Sequence, residues 1–257
     1  MPIVEFIGGM GCGKSTLFTA VERKLKQCAI TNVVTRSEFY GTEIVDSLKQ
    51  QQPKKYYLSV LPLFRPLRAR FLKEEVQRLA AEHIATQEDA YAEIIRVVLF
   101  EREKYSGPLL DALKRTKWFT DTLYELASIR SMQHKYRLVV VDEGLLHRCT
   151  SMMFWLDDME GFVARYCNAL PYIPKLAIHV KTDRDTAITR LEGRKLHRSR
   201  HIATHDAAVS MSEYMASYVR ESGGSVLSVN GADDPSANAE KCVEKIREVA
   251  EQLHREY

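Results

Sequence analysis

The sequence predicts an α/β fold: a doubly wound, parallel, five-stranded sheet with a helical insert between its second and third strands. Three observations carry this. Short apolar runs alternate with helical periods along the 257 residues. The first run, Ile3–Ile7, leads straight into Gly8-Gly9-Met10-Gly11-Cys12-Gly13-Lys14-Ser15-Thr16, which fits G-x-x-x-x-G-K-[ST], and a helix over 16–25 follows. The stretch from Glu43 to Lys135 keeps a helical period with no strand in it, whereas a simple crossover needs only about a dozen residues.

The elements follow in order. The second strand is expected over 32–35. The third, 137–141, is almost continuously apolar, as a strand in the middle of a parallel sheet should be. The fourth is placed over 175–180 and the fifth over 225–229, and an amphipathic helix over 238–257 closes the chain. Within the insert, Ser106-Gly107-Pro108 reads as a break between two helices, with Ser106 as N-cap and Pro108 in the first turn. No Pro/Gly/Ser-rich linker divides the chain. It is therefore read as one domain, 1–257, with the insert at about 43–135 and a lid at about 190–206.

Composition narrows the function classes. With 45% hydrophobic residues, a chain of this length fills one large core. A net charge of +3 is too mild for a protein that coats nucleic acid. The five cysteines are scattered, with no C-x-x-C pair, which reads as a reduced, cytoplasmic protein. Glu5 interrupts the first apolar run, so the start is not read as a signal peptide, and no stretch has the length of a membrane span.

The phosphate loop is the clearest chemical signal. Its glycines let the backbone curl so that successive N–H groups face one anion, and the next helix adds the positive end of its dipole. Gly8 through Thr16 are expected to cradle the phosphates of ATP. Lys14 reaches the β- and γ-phosphates, and the Ser15 hydroxyl ligates Mg²⁺. Cys12 lies inside the loop as a small residue that fits there.

Asp142 and Glu143 follow the third strand. A strand ending in an acid is the pattern that holds Mg²⁺ in phosphate-loop enzymes, so Asp142 is paired with Ser15 as metal ligand. Glu143 is read either as the group that orients or deprotonates an acceptor hydroxyl or as a cap of the following helix. After the fourth strand Arg190, Arg194 and Arg198 step by four along one helical face. They are read as a lid that closes over the phosphates, with Arg194 and Arg198 neutralising charge on the transferred group. His197, His201 and His205 share that spacing. Zinc is disfavoured there because the adjacent arginines repel a dication, so the histidines belong to the same lid.

These motifs, in this order, resemble the phosphate-loop kinases of the thymidylate-kinase and deoxynucleoside-kinase group, and the resemblance spans most of the chain. Thr35-Arg36, with Gly41-Thr42, is similar to the T-R-E-P-G-G-T segment of thymidylate kinases, which implies acceptor-facing roles for Arg36 and Glu38. Arg190 and Arg194 resemble the lid arginines, one on adenine and one on phosphate. Asn230-Gly231 is similar to the last loop, which packs against adenine. The family's D-R-[YSH] is replaced by Asp142-Glu143-Gly144. A glutamate at that position repels phosphate and points to an acceptor hydroxyl. The combination with D-E-G-x-x-H also resembles kinase-like proteins of bacteria, and this indicates no substrate.

The leading expectation is an ATP- and Mg²⁺-dependent phosphotransferase acting on a small-molecule acceptor: a nucleoside, a nucleotide or a sugar-like alcohol. A homodimer is compatible with it; a nucleic-acid partner is not expected. Two other classes are kept. One is a phosphate-loop ATPase or switch that hydrolyses NTP with a macromolecular partner, because a D-E pair also polarises water. The other is a nucleic-acid-directed kinase, because Arg65, Arg68, Arg70, Lys73 and Arg78 lie among Phe64 and Phe71. A solvated helix face whose aromatics reach the core is the preferred explanation of that stretch.

Overall fold

The computed structural model describes residues 2–28, 30, 32–61, 65–103, 106–132, 138–152, 156–193 and 204–256. Five parallel strands form one sheet: β1 (Ile3–Ile7), β2 (Val33–Thr35), β3 (Leu138–Val141), β4 (Leu176–Lys181) and β5 (Ser225–Asn230). Their spatial order is β2-β3-β1-β4-β5. Each expected strand is present within a residue or two of its predicted ends. Asn32 stays outside β2 because it turns in the left-handed region, at φ 69°.

Register explains why the sheet needs helices on both faces. Ile3 pairs with Val139 and Val4 with Leu176. Side chains then alternate: Ile3, Ile7, Val139 and Val141 enter one apolar cluster, and Val4, Phe6, Leu138 and Val140 enter the other. One face is covered by α1 (Lys14–Cys28) and by α12 (Pro235–Glu256), the closing helix. The other is covered by α8 (Leu145–Met152), α9 (Met159–Asn168), α11 (His205–Glu221) and the helices between β2 and β3. Cutting a fully buried chain such as Phe6 back to alanine costs about 3–5 kcal/mol in such a core.

The insert is helical, as expected, but begins earlier than Glu43. It opens with α2 (Arg36–Phe39) and a π-helical turn (Tyr40–Ile44). There follow α3 (Val45–Gln51), α4 (Pro53–Val60), α5 (Arg65–Thr86), α6 (Glu88–Glu103) and α7 (Leu109–Ser131). The helix break falls where Ser106-Gly107-Pro108 predicts it, but Ser106 is not the cap. Pro108 holds the N-cap position, and helical geometry starts at Leu109. A proline has no N–H to satisfy, so it suits the helix edge without a side-chain cap. No described helix is long and apolar enough to cross a membrane.

The remaining helix, α10 (Arg184–Glu192), follows β4. Asp183 caps it by accepting from the Thr186 N–H at 2.8 Å, and Gly193 ends it. Arg194, Lys195, His197, Arg198, Arg200 and His201 lie outside the described residues. His205 starts α11; it is buried, and its Nδ1 lies 3.2 Å from Asp206.

Candidate active site

The connection leaving β1 runs toward β2 and the one leaving its neighbour β3 runs toward β4, the opposite way, so the carboxyl ends of β1 and β3 flank the switch point of the sheet, where open α/β folds bind ligands. The glycine-rich loop starts there. Gly8, Gly11 and Gly13 take φ values of 145°, 78° and 98°, which side-chain-bearing residues rarely adopt. At Gly11 a Cβ would also stand 2.6 Å from the Ala187 carbonyl oxygen, so the loop lies directly against α10. The Lys14 ammonium donates to the Gly8 and Gly9 carbonyls at 2.7 and 2.9 Å, inside the curl that the loop makes. Gly13 accepts the first helical hydrogen bond, from Leu17 at 3.0 Å, so the N-terminus of α1 opens onto the same space.

Next to the loop lies a cavity of about 420 Å³ between α1, α10 and the turn after β5. Arg190 crosses its wall. Its guanidinium donates to the Gly231 carbonyl at 3.0 Å and to the Gly11 carbonyl at 3.4 Å. Asn230 shapes the turn itself: it accepts from the Ala232 N–H at 3.0 Å and donates to Asp233 at 2.9 Å. The volume suits a planar base. The structure therefore brings Arg190, Asn230 and Gly231 together with the loop.

On the other side of β1, β3 ends beside the loop. Asp142 and Glu143 stand just past it, and β1 and β3 are direct neighbours. The two acids have different partners. Asp142 accepts from Arg36 Nη1 at 2.9 Å. Glu143 pairs with Arg148 Nη2 at 2.6 Å and lies 3.5 Å from His147 Nε2. The hydrogen bond from His147, with Arg148 and Lys14 close by, holds the Glu143 carboxyl down at about 2. Burial keeps His147 below the usual histidine value.

The reading of Glu143 as a helix cap is not what the structure shows. The start of α8 is capped from beneath by Glu5 of β1, whose carboxylate accepts from the Leu146 N–H at 3.1 Å and from the Tyr172 hydroxyl. Gly144 makes room for it. A Cβ there would fall 2.0 to 2.3 Å from the Glu5 carboxyl atoms. Glu143 instead pairs with His147 and Arg148 of that helix.

Arg36 opens α2, directly after β2. Besides Asp142 it pairs through Nε with Glu125, a buried acid of α7. Burial raises the Glu125 carboxyl to about 7 despite that arginine. The π-helical turn brings the Tyr40 hydroxyl onto the same carboxyl, and burial raises Tyr40 as well. Such turns recur at functional positions. Glu38 is engaged elsewhere. It closes a capping box, accepting from the Thr35 N–H at 2.9 Å and its hydroxyl at 3.0 Å.

Sequence reasoning did not single out Glu125, Tyr40 and Arg148, and it met His147 only as the last residue of D-E-G-x-x-H, with no role assigned. His147 had a signal, since it stands four residues after Glu143 and so one turn along a helix. Arg148 follows it on the same short helix, where Nε also donates to Thr122 at 2.8 Å. Glu125 had none. Only the folding back of α7 sets it against Arg36.

No family model matches the chain, and no curated protein matches it. Among solved structures it is similar to deoxyadenosine kinase from M. mycoides with bound dATP, at 14% identity and a TM-score of 0.44, covering 96% of this chain and 99% of that one. It is also similar to TT1252 from Thermus thermophilus, at 16% identity and a TM-score of 0.39, covering 95% and 97%. The fold rests on its own sheet order and loop geometry rather than on these likenesses.

Proposed function

We propose that the protein transfers the γ-phosphoryl group of ATP to a hydroxyl of a small neutral acceptor, such as a nucleoside or a sugar-like alcohol. One observation carries the choice of acceptor. On the acceptor side of the loop, Arg36 is already engaged by Glu125 and Asp142, and Arg148 by Glu143. A phosphorylated acceptor would need a cation that those acids already neutralise; a hydroxyl needs none.

In this reading the loop amides and Lys14 hold the ATP phosphates, and Arg190 with Gly231 flanks the base. Arg194 and Arg198 are assigned to closing over the phosphates on sequence grounds alone. The Ser15 hydroxyl and the Asp142 carboxylate are hard oxygen donors of the kind Mg²⁺ takes alongside phosphate oxygens. When bound, that ion neutralises charge on the β- and γ-phosphates. Arg36, its charge balanced by Glu125 and Asp142, orients the acceptor through hydrogen bonding rather than as a free cation. The acceptor oxygen bonds to the γ-phosphorus, the bond to the β-bridging oxygen breaks, and ADP departs. The acceptor proton passes to Glu143. A carboxyl held at about 2 is a weak base, but in a loose transition state that proton leaves late, and aligning the hydroxyl matters more.

The test is ADP release from Mg·ATP with and without pools of nucleosides, nucleoside monophosphates, sugars and small alcohols. A neutral pool is expected to raise turnover at least about tenfold, and Lys14→Ala to lower it at least about a hundredfold. Stimulation by monophosphates alone would refute the acceptor assignment. Turnover that ignores every pool would favour the ATPase reading, which the D-E pair also supports.

A further inference from the structure

The helix α4 is turned inside out. Residues 54, 57 and 58 share one stripe at helical spacing, on which Tyr57 is 62% and Leu58 39% exposed; Val60, at 51%, ends the helix, and Leu61, at 47%, is its extended C-cap. The inward side is largely polar, with Tyr56 half-buried on it. Ser59 is buried, and Lys55 reaches Glu74 of α5 at 2.8 Å while lying over the Phe71 ring. A helix that turns inward a serine, a lysine and half-buried Tyr56 while Tyr57, Leu58 and Val60 face solvent departs from the usual rule of amphipathic burial. A cluster of large apolar side chains left in water marks a contact surface.

Its charge identifies the partner. From Pro53 to Lys73 the chain carries six lysines and arginines and no acid. Across from the stripe, Glu74 balances Lys55 and Arg70, and Asp121 lies 3.8 Å from Lys73. Lys54 and Arg68 are exposed and pair with no described carboxylate. We propose that the patch of Lys54, Tyr57 and Leu58, with Val60 and Leu61 at the end of the helix, seats the protein on an anionic phospholipid surface. Apolar side chains enter the headgroup–acyl boundary, tyrosine sits at its level, and the cations meet lipid phosphates. Two other occupants fit worse. A second copy on a two-fold axis would press this cationic patch against itself. A nucleic acid would find a single exposed ring, Tyr57, among aliphatic chains where it needs a series of stacking rings. The proposal stands apart from the phosphotransfer reading, since none of these residues belongs to the candidate site.

The test is co-sedimentation of the full chain with vesicles of phosphatidylcholine alone and with roughly one third phosphatidylglycerol. Binding to the anionic vesicles is expected to be at least about tenfold tighter and to weaken as salt rises. The triple variant Tyr57→Ser, Leu58→Ser, Leu61→Ser should lose it while keeping its far-ultraviolet circular dichroism and melting temperature. Tyr57→Trp provides a second readout that disturbs the fold less: its fluorescence should shift to the blue on anionic vesicles. No binding, equal binding to both vesicle types, or an unshifted Tyr57→Trp spectrum would overturn the proposal. So would a dimer or an oligonucleotide complex that needs the stripe in a protein that ignores vesicles.

Discussion

Glu143 follows Asp142 at the end of β3, where the kinases that the sequence resembles carry an arginine. The cation missing there has counterparts nearby. Arg148 arrives one helical turn later and grips Glu143 at 2.6 Å, and Arg36 comes from β2 to Asp142 at 2.9 Å. The exchange of charge along the sequence is thus largely reversed in space, and the local field stays balanced. Glu143 is ionised throughout the physiological range, since its carboxyl is held at about 2. Glu143→Gln keeps the size and one hydrogen-bond acceptor but frees Arg148 from its counter-charge. We expect acceptor-dependent ADP release to fall about a hundredfold while the affinity for nucleotide changes less than about threefold. Parallel losses in both, measured by steady-state rates and by titration of a fluorescent nucleotide, would place Glu143 on the ATP side. Unchanged rates would remove it from the reaction.

At the scale of elements, the junction between β1 and α8 depends on one space. Glu5 can cap α8 only because residue 144 has no side chain, and its carboxylate is fixed by Leu146 and Tyr172. Gly144→Ala would have to push a buried, hydrogen-bonded carboxylate aside. It should destabilise the chain by about 2–4 kcal/mol, read as a lower denaturant midpoint at unchanged slope. An unchanged midpoint would mean that α8 tolerates a shift of its first turn. The same junction shows what the sequence made legible. The strands, the loop, α1 and the helical insert follow from local period and composition, and so do the placements of Lys14, Asp142 and Arg190. Gly144 reads locally as an ordinary turn glycine, and Glu5 as a polar interruption of a strand. Their meaning arises because Glu5 meets Leu146, 141 residues away in sequence, only after the sheet forms. Glu125 and Arg36 are hidden for the same reason.

Across the whole molecule, buried ionisable groups set how stability varies with pH. Glu5 and Glu125 are both raised by burial to about 7 from an ordinary 4.5. Between those values the folded chain binds more protons than the unfolded one. Their contribution is therefore full below pH 4.5 and is lost as pH rises through 7. His179 acts in the opposite sense. Burial pushes it down to about 4, so the unfolded chain binds the extra proton between about pH 4 and 6.5, and stability rises with pH there. The opposing slopes mask one another in the wild-type profile, and a single substitution should reveal one of them. Glu5→Gln cannot ionise but can still accept from the Leu146 N–H. Whatever its offset at pH 4.5, it should gain on the wild type by about 2 kcal/mol as pH rises to 8, since one pKa unit is worth about 1.4 kcal/mol and relaxation of the site absorbs part of the shift. Urea unfolding of both proteins at half-unit pH steps measures that difference. A difference that stays flat would mean that Glu5 ionises freely beneath α8, and the cap would then be an ordinary charged one at the N-terminus of a helix.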